Sequence, residues 1–410
     1  MIKDIFDNLL FRMKLFLLNN KNREIDKLKD WRKFLTENNK KKLLIVTDYY
    51  KPHISGITTS IDLLIKSLIK NNFQITILTG NYSGKLKDIE YLENIKIIRT
   101  KVLFKFDRGF FSFDLIKSFI SESKKNDYIN IHYPLAEIFP LIFFNKKKLI
   151  INYYCLPDYN SIFFKLIRLY FYIFGFISII FSKKTVVFTN DYFESIFGHK
   201  NFKHKIMEIR PYVNDVSEII ENKYEDVNKK KILNIGFLGR LSEEKGLTDL
   251  IKASFVLEKN GVRHSLKIAG NINDQRFESH IKKLLILSKE SKSIKFIGEI
   301  SENEKINFFN SLDVFVLPSI NSFESFGLVQ LEAMMYGIPV IVSDLSGVRM
   351  PVYYTNNGYT FKRGNYKELA NCLIKIKNSK NLFDKKQIQN KCMKYFNEKE
   401  FTNRYLSLFN

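Results

Sequence analysis

The chain has 410 residues, 45% of them hydrophobic, with 66 lysines and arginines against 43 aspartates and glutamates. At roughly 100–200 residues per domain this length predicts two domains, each able to bury a core of its own. The formal net charge of +23 favours anionic partners, while the scattered Cys155, Cys372 and Cys392, without CxxC or Cys/His spacing, exclude a disulfide framework and a zinc site and indicate a reducing compartment.

In chain order, residues 1–40 open with MIKDIFDNLLFRMKLFLLNN. Asp4, Asp7, Arg12 and Lys14 interrupt the apolar run and no small-residue cleavage site follows. The segment therefore reads as a basic amphipathic helix rather than a secretory signal, lying on a membrane surface or packed on the first domain. Residues 41–216 form the first predicted domain. Apolar runs at 41–50, 73–80, 94–100, 128–134, 148–154 and 184–190 alternate with helical stretches, the pattern of a parallel sheet covered on both faces. The uncharged run Leu169–Ser182 has 14 residues, fewer than the roughly 20 a bilayer span needs. A buried helix is expected there, with a membrane-facing helix anchored by Lys165, Arg168, Lys183 and Lys184 as the alternative.

The polar stretch 217–231 is a predicted linker, after which the pattern restarts. Strands are expected at 232–241, 264–270, 293–300, 312–319 and 338–344 within a second domain over 232–390. A helix over 391–410 is expected to return to the first domain. The fold class is thus α/β, two doubly wound Rossmann-like domains facing across a cleft, with ligands beyond the carboxyl ends of the strands.

Four stretches carry candidate chemistry. In GFLGRLSEEKG (236–246) a strand ends beside Arg240 and Lys245, a forked and a compact cation suited to a diphosphate. In ESFGLVQLE, Glu324 and Glu332 stand eight residues apart. On an ideal helix that spacing turns about 800° and rises about 12 Å. Such carboxylates do not flank one bond as a glycosidase pair does at roughly 5–10 Å. They fit two places along one extended ligand, with the helix start at Ser325–Leu328 holding a phosphate on its free amides and Glu332 about two turns in. His132 in INIHYP is expected at a strand's carboxyl end, in the cleft, where an imidazole exchanges protons or donates a hydrogen bond. Gly56 in YKPHISGITTS permits close approach of a ligand to backbone. Taken singly, each also reads as a structural or solvated residue, and the lone Gly56 is no nicotinamide-binding GxGxxG.

Together these residues resemble the retaining glycosyltransferases of the GT-B fold, specifically glycosyltransferase family 4. GRLSEEKG, FIGEIS, VFVLPS, the Glu324–Glu332 segment, EAMMYGIPVIVSD and GYTF follow the family's order and spacing over about 232–362. KPHISG, IHYP and IRPYVN are weaker landmarks over 41–215, and 1–40 is not covered. The resemblance implies that Arg240 and Lys245 hold the diphosphate of a nucleotide-sugar and that Glu332 binds the ribose hydroxyls. It implies that Glu324 faces the donor sugar, that the amides of Phe326, Gly327 and Leu328 assist, that His132 lies near sugar and acceptor, and that Gly56 closes on the diphosphate. It implies no metal and no cofactor beyond the donor. Departures are Ser55 where Gly–Gly is common, Asn130 where His is common, and Met350 where the family usually has Glu.

The implied activity is transfer of a hexose from a nucleoside diphosphate sugar to a hydroxyl on a lipid-linked or cell-surface saccharide. The expected setting is cytoplasmic, peripheral at the inner face of an anionic membrane, in polysaccharide or lipopolysaccharide assembly. A nucleotide-sugar epimerase or hydrolase is the alternative enzyme, and a non-catalytic anion or nucleic-acid binder the alternative outside enzymes. The lysines form no single basic tract and no nucleic-acid module is present, so no nucleic-acid partner is expected.

Overall fold

The computed structural model describes residues 40–92, 94–106, 109–157, 162–198, 202, 204–213, 232–378 and 383–409. The expected N-terminal extension, apart from Lys40, and the expected linker lie outside these residues.

The first domain opens with β1 (Lys41–Val46), whose residues Leu43 to Val46 are fully buried. α1 (Gly56–Ile69) follows. Ser55 caps it: its hydroxyl accepts the Thr58 N–H at 3.2 Å, and its own N–H donates to the Thr58 hydroxyl at 2.8 Å. Next come β2 (Phe73–Gly80), β3 (Ile89–Leu92), β4 (Ile95–Thr100), and a hairpin of β5 (Phe104–Phe106) and β6 (Gly109–Phe111). α2 (Phe113–Lys125), β7 (Tyr128–Tyr133), α3 (Ile138–Leu141), β8 (Leu149–Tyr153) and α4 (Ile162–Phe181) lead to β9 (Lys184–Val187), α5 (Asn190–Phe197) and β10 (Ile206–Glu208). One eight-stranded sheet results, in the order β10-β9-β8-β7-β1-β2-β4-β3, with only the β3–β4 pair antiparallel. β8 is buried at every position, as expected of a parallel strand covered on both faces.

The second domain runs β11 (Leu233–Leu238), α6 (Leu247–Lys259), β12 (His264–Ala269), α7 (Glu278–Ser288), β13 (Ile294–Gly298), α8 (Glu302–Asn310) and β14 (Val314–Leu317). It continues with α9 (Leu328–Met335), β15 (Val340–Ser343), α10 (Met350–Thr355), β16 (Gly358–Phe361), α11 (Tyr366–Asn378) and α12 (Lys385–Tyr395). Its six strands are all parallel, in the order β13-β12-β11-β14-β15-β16. Strand order reverses between β1 and β7 in one sheet and between β11 and β14 in the other, so each has a crevice beyond those strands' carboxyl ends.

The single helix expected over 391–410 is instead two. α12 packs Ile388 and Cys392 into the second core, the chain turns at Phe396 and Asn397, and α13 (Glu398–Leu408) begins. The Asn397 side chain caps it, accepting the Glu400 N–H at 2.8 Å. α13 sets Phe401, Tyr405 and Leu408 against α1 in the first domain's core. α4 also differs from the buried helix expected over Leu169–Ser182. Phe171, Ser178 and Ile179 face the core, while Leu166, Leu169, Ile173 and Ile180 are exposed. No helix among the described residues is long and apolar enough to cross a membrane.

The domains meet through apolar and polar contacts. Tyr154 and Phe188 of the first domain belong to the second domain's core, and the rings of Phe188 and Phe326 lie 5.3 Å apart. Tyr354 Oη donates to Glu208 at 3.0 Å.

Candidate functional site

At the end of β11 the chain leaves through Gly239 and Arg240, makes one turn of 3-10 helix over Glu243–Lys245, and enters α6 through Gly246. Gly246 has φ 67°, and a Cβ there would stand 1.9 Å from the Pro318 carbonyl oxygen. Glycine lets this loop lie directly on the segment leaving β14. That contact brings Lys245 Nζ into an ion pair with Glu324, both side chains being mostly covered. Arg240 is 44% exposed and lies 3.6 Å from Glu244. Across the cleft, the His53 imidazole is held below its usual range by burial and by the nearby charges of Arg276 and Arg240. Ile57, in the first turn of the helix that this loop enters, packs against the second domain's core. The loop that carries Gly56 therefore faces the cations. Gly56 itself is the exposed first residue of α1, with open space where a Cβ would stand.

The expected helix start at Ser325 is corrected. α9 begins at Leu328 because Gly327 takes φ 78°, and a Cβ there would lie 2.3 Å from a Leu317 methyl. Glu324 is thus a loop residue and Glu332 the fifth residue of the helix, one turn in rather than two. The ideal-helix spacing does not describe the pair. Glu332 is half-buried, with Oε2 3.2 Å from Lys305 Nζ; burial raises its pKa and the Lys305 charge opposes the rise. The Phe326 ring packs between the domains, against Phe188 and Phe396. The first amides of α9 begin at Leu328, directly after the loop that holds Glu324.

Contacts from the first domain hold this loop. Tyr192 Oη donates to the Ser322 carbonyl at 2.8 Å. Asp191 accepts the Gly347 N–H at 2.7 Å and two bonds from Arg349, at 3.1 and 2.6 Å, and Arg349 also reaches Asp344 at 3.0 Å.

The first domain's crevice is built differently. His132 does sit near the end of β7, but its ring is 1% exposed, which corrects the expected placement in the open cleft. Tyr154 covers it: the rings stack with centroids 5.6 Å apart, and Nδ1 lies 2.8 Å from the Tyr154 hydroxyl. Tyr154 Oη also pairs with Ser60 of α1 at 3.0 Å, and Asn152 donates to Tyr405 of α13 at 2.7 Å. Burial lowers the His132 pKa to about 3, so the imidazole is neutral, and Nε2 has no hydrogen-bond partner. Two carboxyls lie beyond β1 and β7. Asp48 is raised well above the carboxylate range by burial and by Glu137. Glu137 is raised by burial to about 7, although its Oε1 accepts the Ser112 N–H at 2.6 Å.

The structure thus joins Lys245, Glu324, Gly327 and Leu328 around one crevice, with Arg240 beside them and Gly56 on the facing loop. It sets Glu332 apart with Lys305 and encloses His132. Sequence reasoning missed Arg276, His53, Asp48, Glu137, Asp191 and Arg349. The rule that strand ends bear ligands would have found Arg276, in the loop after β12, and Asp48, just past β1. No local signal marks Asp191 and Arg349, which meet only through the domain contact.

Residues 217–394 match the family model for glycosyl transferases group 1. The capsular polysaccharide biosynthesis glycosyltransferase CapM of Staphylococcus aureus is 26% identical over 182 residues, 42% of this chain and 45% of that protein. The chain therefore spans less than half the length of that relative. An uncharacterized glycosyltransferase of Methanocaldococcus jannaschii, MJ1069, is 27% identical over 407 residues, 90% of this chain and 98% of the relative. Among solved structures, Anabaena Alr3699/HepE in complex with UDP and glucose superposes with a TM-score of 0.64 at 16% identity, over 90% of this chain and 98% of that one. The fold is GT-B, two Rossmann-like domains.

Proposed function

We propose that this chain is a retaining, metal-independent hexosyltransferase of glycosyltransferase family 4, moving a sugar from a nucleoside diphosphate sugar to an acceptor hydroxyl. The carrying observation is the Lys245–Glu324 pair where β11 and β14 open, inside the stretch that matches the group 1 family model. The UDP and glucose bound by the Anabaena neighbour support a nucleotide-sugar donor. In this reading residues 232–390 bind the donor and 41–216 the acceptor.

Arriving diphosphate exchanges with Glu324 for Lys245, and Arg240 and the amides of Gly327 and Leu328 complete its contacts. Glu324, released, faces the sugar hydroxyls. Glu332 accepts from the ribose hydroxyls, and the backbone at Phe326 and Gly56 closes on the donor. The bond from the anomeric carbon to the diphosphate oxygen breaks, and the oxygen leaves with the electron pair. The acceptor oxygen bonds to the same face of that carbon, and its proton passes to the departing phosphate. Charge developing on the leaving group is met by Lys245 and Arg240. His132, neutral and enclosed, positions the acceptor side of the cleft through Tyr154. The acceptor is a lipid-linked or cell-surface saccharide, a reading that the capsular relative supports, and the setting is the cytoplasmic face of an anionic membrane.

The test is turnover of a panel of nucleoside diphosphate sugars with saccharide acceptors. Lys245→Ala and Arg240→Ala are each expected to lower the rate on the order of 100-fold or more while the protein stays folded. Unchanged rates would remove the assigned roles. Chelator treatment should leave turnover intact, and the product's anomeric configuration, read by NMR, should match the donor's.

A further inference from the structure

Lys305 stands where the helix dipole disfavours it. It is the fourth residue of α8, and a reciprocal cap already fixes the start of that helix. Ser301 Oγ accepts the Glu304 N–H at 3.4 Å, and the Ser301 N–H donates to the Glu304 carboxylate at 2.7 Å. A cation in this turn opposes the positive end of the helix. Its i, i+3 partner Glu302 lies 2.8 Å away and is 86% exposed, and an ion pair so open to solvent contributes little. Neither the helix nor that pair accounts for the lysine. Its other partner does: Nζ donates to Glu332 Oε2 at 3.2 Å, and both of these side chains are mostly covered.

Two rungs join α8 to α9. Lys305 and Glu332 form the first. Four residues further along each helix, the rings of Phe309 and Tyr336 stack with centroids 5.0 Å apart and planes 18° from parallel. Residues i and i+4 share a helix face, so the buried ring pair sets the register of the two helices and the ion pair follows from it. Both helices start beyond the carboxyl ends of parallel strands, α8 after β13 and α9 after β14. The ion pair is the rung nearer those starts, on the crevice side of the stacked rings. Among the described residues Lys305 alone bonds the Glu332 carboxylate, and it bonds only Oε2. A carboxylate offers about four acceptor positions. Oε1 and the second lone pair of Oε2 are left for two hydroxyls, and neighbouring hydroxyls on one face of a sugar ring match the two oxygens of one carboxylate.

We propose that Lys305 is a positioning residue: it fixes the Glu332 carboxylate so that both oxygens accept from the cis-diol of a ribose, and thereby sets the preference of the donor site for a ribonucleoside diphosphate over its 2′-deoxy form. This rests on the sugar-transfer reading and on Glu332 meeting the ribose there. Without the lysine, burial and the nearby charge of Glu302 both favour the protonated form of Glu332. Tyr336, on the same helix, is the other titratable group beside it. Hydrogen bonds to an ionised acceptor are roughly twice as strong as those between neutral groups, so a carboxyl that gains a proton loses much of its hold on the diol.

The test is calorimetric binding of UDP, GDP and ADP, and of the 2′-deoxy form of each, to the full chain, with turnover of the matching nucleotide-sugars. Wild type should bind the ribo form of its nucleotide about tenfold or more tighter than the deoxy form, the size of one hydrogen bond to a charged group. Lys305→Met keeps the length of the side chain and removes its charge. It should bring that ratio below about threefold by weakening the ribo form. It should also raise the KM for the donor while kcat at saturation changes less than about threefold, the pattern of lost uniform binding. Glu302→Gln removes only the exposed partner and should keep the ratio within about twofold of wild type. Chemical denaturation checks that each variant is folded, and Lys305→Ala repeats the measurement should the methionine variant not fold. A ratio that survives the loss of Lys305 overturns the proposal, as does an equal weakening of both forms, which a purely structural lysine would give. A wild type without preference for the ribo form overturns it too, and leaves the sugar-transfer reading standing where nucleotide-sugar is still turned over. A wild type that neither binds these nucleotides nor turns over their sugars sinks that reading itself, and this inference with it.

Discussion

At the β11 and β14 end of the second sheet, Arg240, Lys245, Glu324 and Arg276 stand as charges in ion pairs close to the cleft. At the matching end of the first sheet, Asp48, Glu137 and His132 are enclosed, and burial drives each towards its neutral form. The two crevices come from the same strand reversal. What separates them is cover. Tyr154, bonded to Ser60, covers His132 in the first crevice, whereas glycines at 246 and 327 keep the second a bare turn of backbone and charge. One topology therefore yields a crevice of ion pairs and another of buried groups held in their neutral forms.

The difference can be broken most severely at Gly246. Gly246→Ala places a Cβ 1.9 Å from the Pro318 carbonyl oxygen at a φ of 67°. Backbone strain and forced separation of the two loops should cost about 3 kcal/mol or more, read by chemical denaturation. Wild-type stability in that variant would show that the charged crevice does not depend on this close approach.

Glu137→Gln sharpens the contrast from the other side. The folded-state pKa of about 7 lies above the ordinary value of 4.5. Between those values the folded protein keeps a proton that the unfolded chain has released. The group's stabilising contribution is therefore full below about pH 4.5 and is lost as pH rises through 7. Glutamine mimics the protonated form. The variant should lose this part of the decline in Tm between pH 5 and pH 8, and gain about 1–3 kcal/mol over wild type at pH 8. An unchanged pH profile would mean that Glu137 is solvated rather than held neutral.

The smallest effect is expected where the two crevices are tied together. Arg349→Ala removes the bonds to Asp191 and Asp344 from a partly exposed site. A loss of about 1 kcal/mol is expected, with a larger radius of gyration in small-angle scattering. Asp191→Asn should not add to it in the double variant, because the two residues act as one contact.

Much of this was legible in the sequence. Continuous apolar runs such as 73–80 became strands over the same residues, because a parallel strand buried on both faces carries no polar alternation to confuse its limits. β16 is not among the expected strands, since three half-buried residues and one buried Phe361 at a sheet edge carry little apolar signal. The phase of the Glu324–Glu332 segment was misread because a single left-handed glycine moves the helix start by three residues. The second crevice was readable since its residues lie in short local motifs. The first was not: His132 is enclosed by Tyr154, itself bonded to Ser60, and Glu137 by Ser112, partners that lie far from them in the chain.

The C-terminal helix bears on the order in which the molecule can be made. Asn152 reaches its partner Tyr405 across 253 positions of sequence, and Phe401, Tyr405 and Leu408 complete the core that α1 begins. During synthesis the face of the first sheet that α1 covers lacks Phe401, Tyr405 and Leu408 until the whole second domain has been added. Contacts so distant in sequence form slowly. The nascent first domain is thus the stage at which this chain is most exposed to aggregation and most in need of a chaperone, and a version ending before residue 398 would keep that exposure permanently.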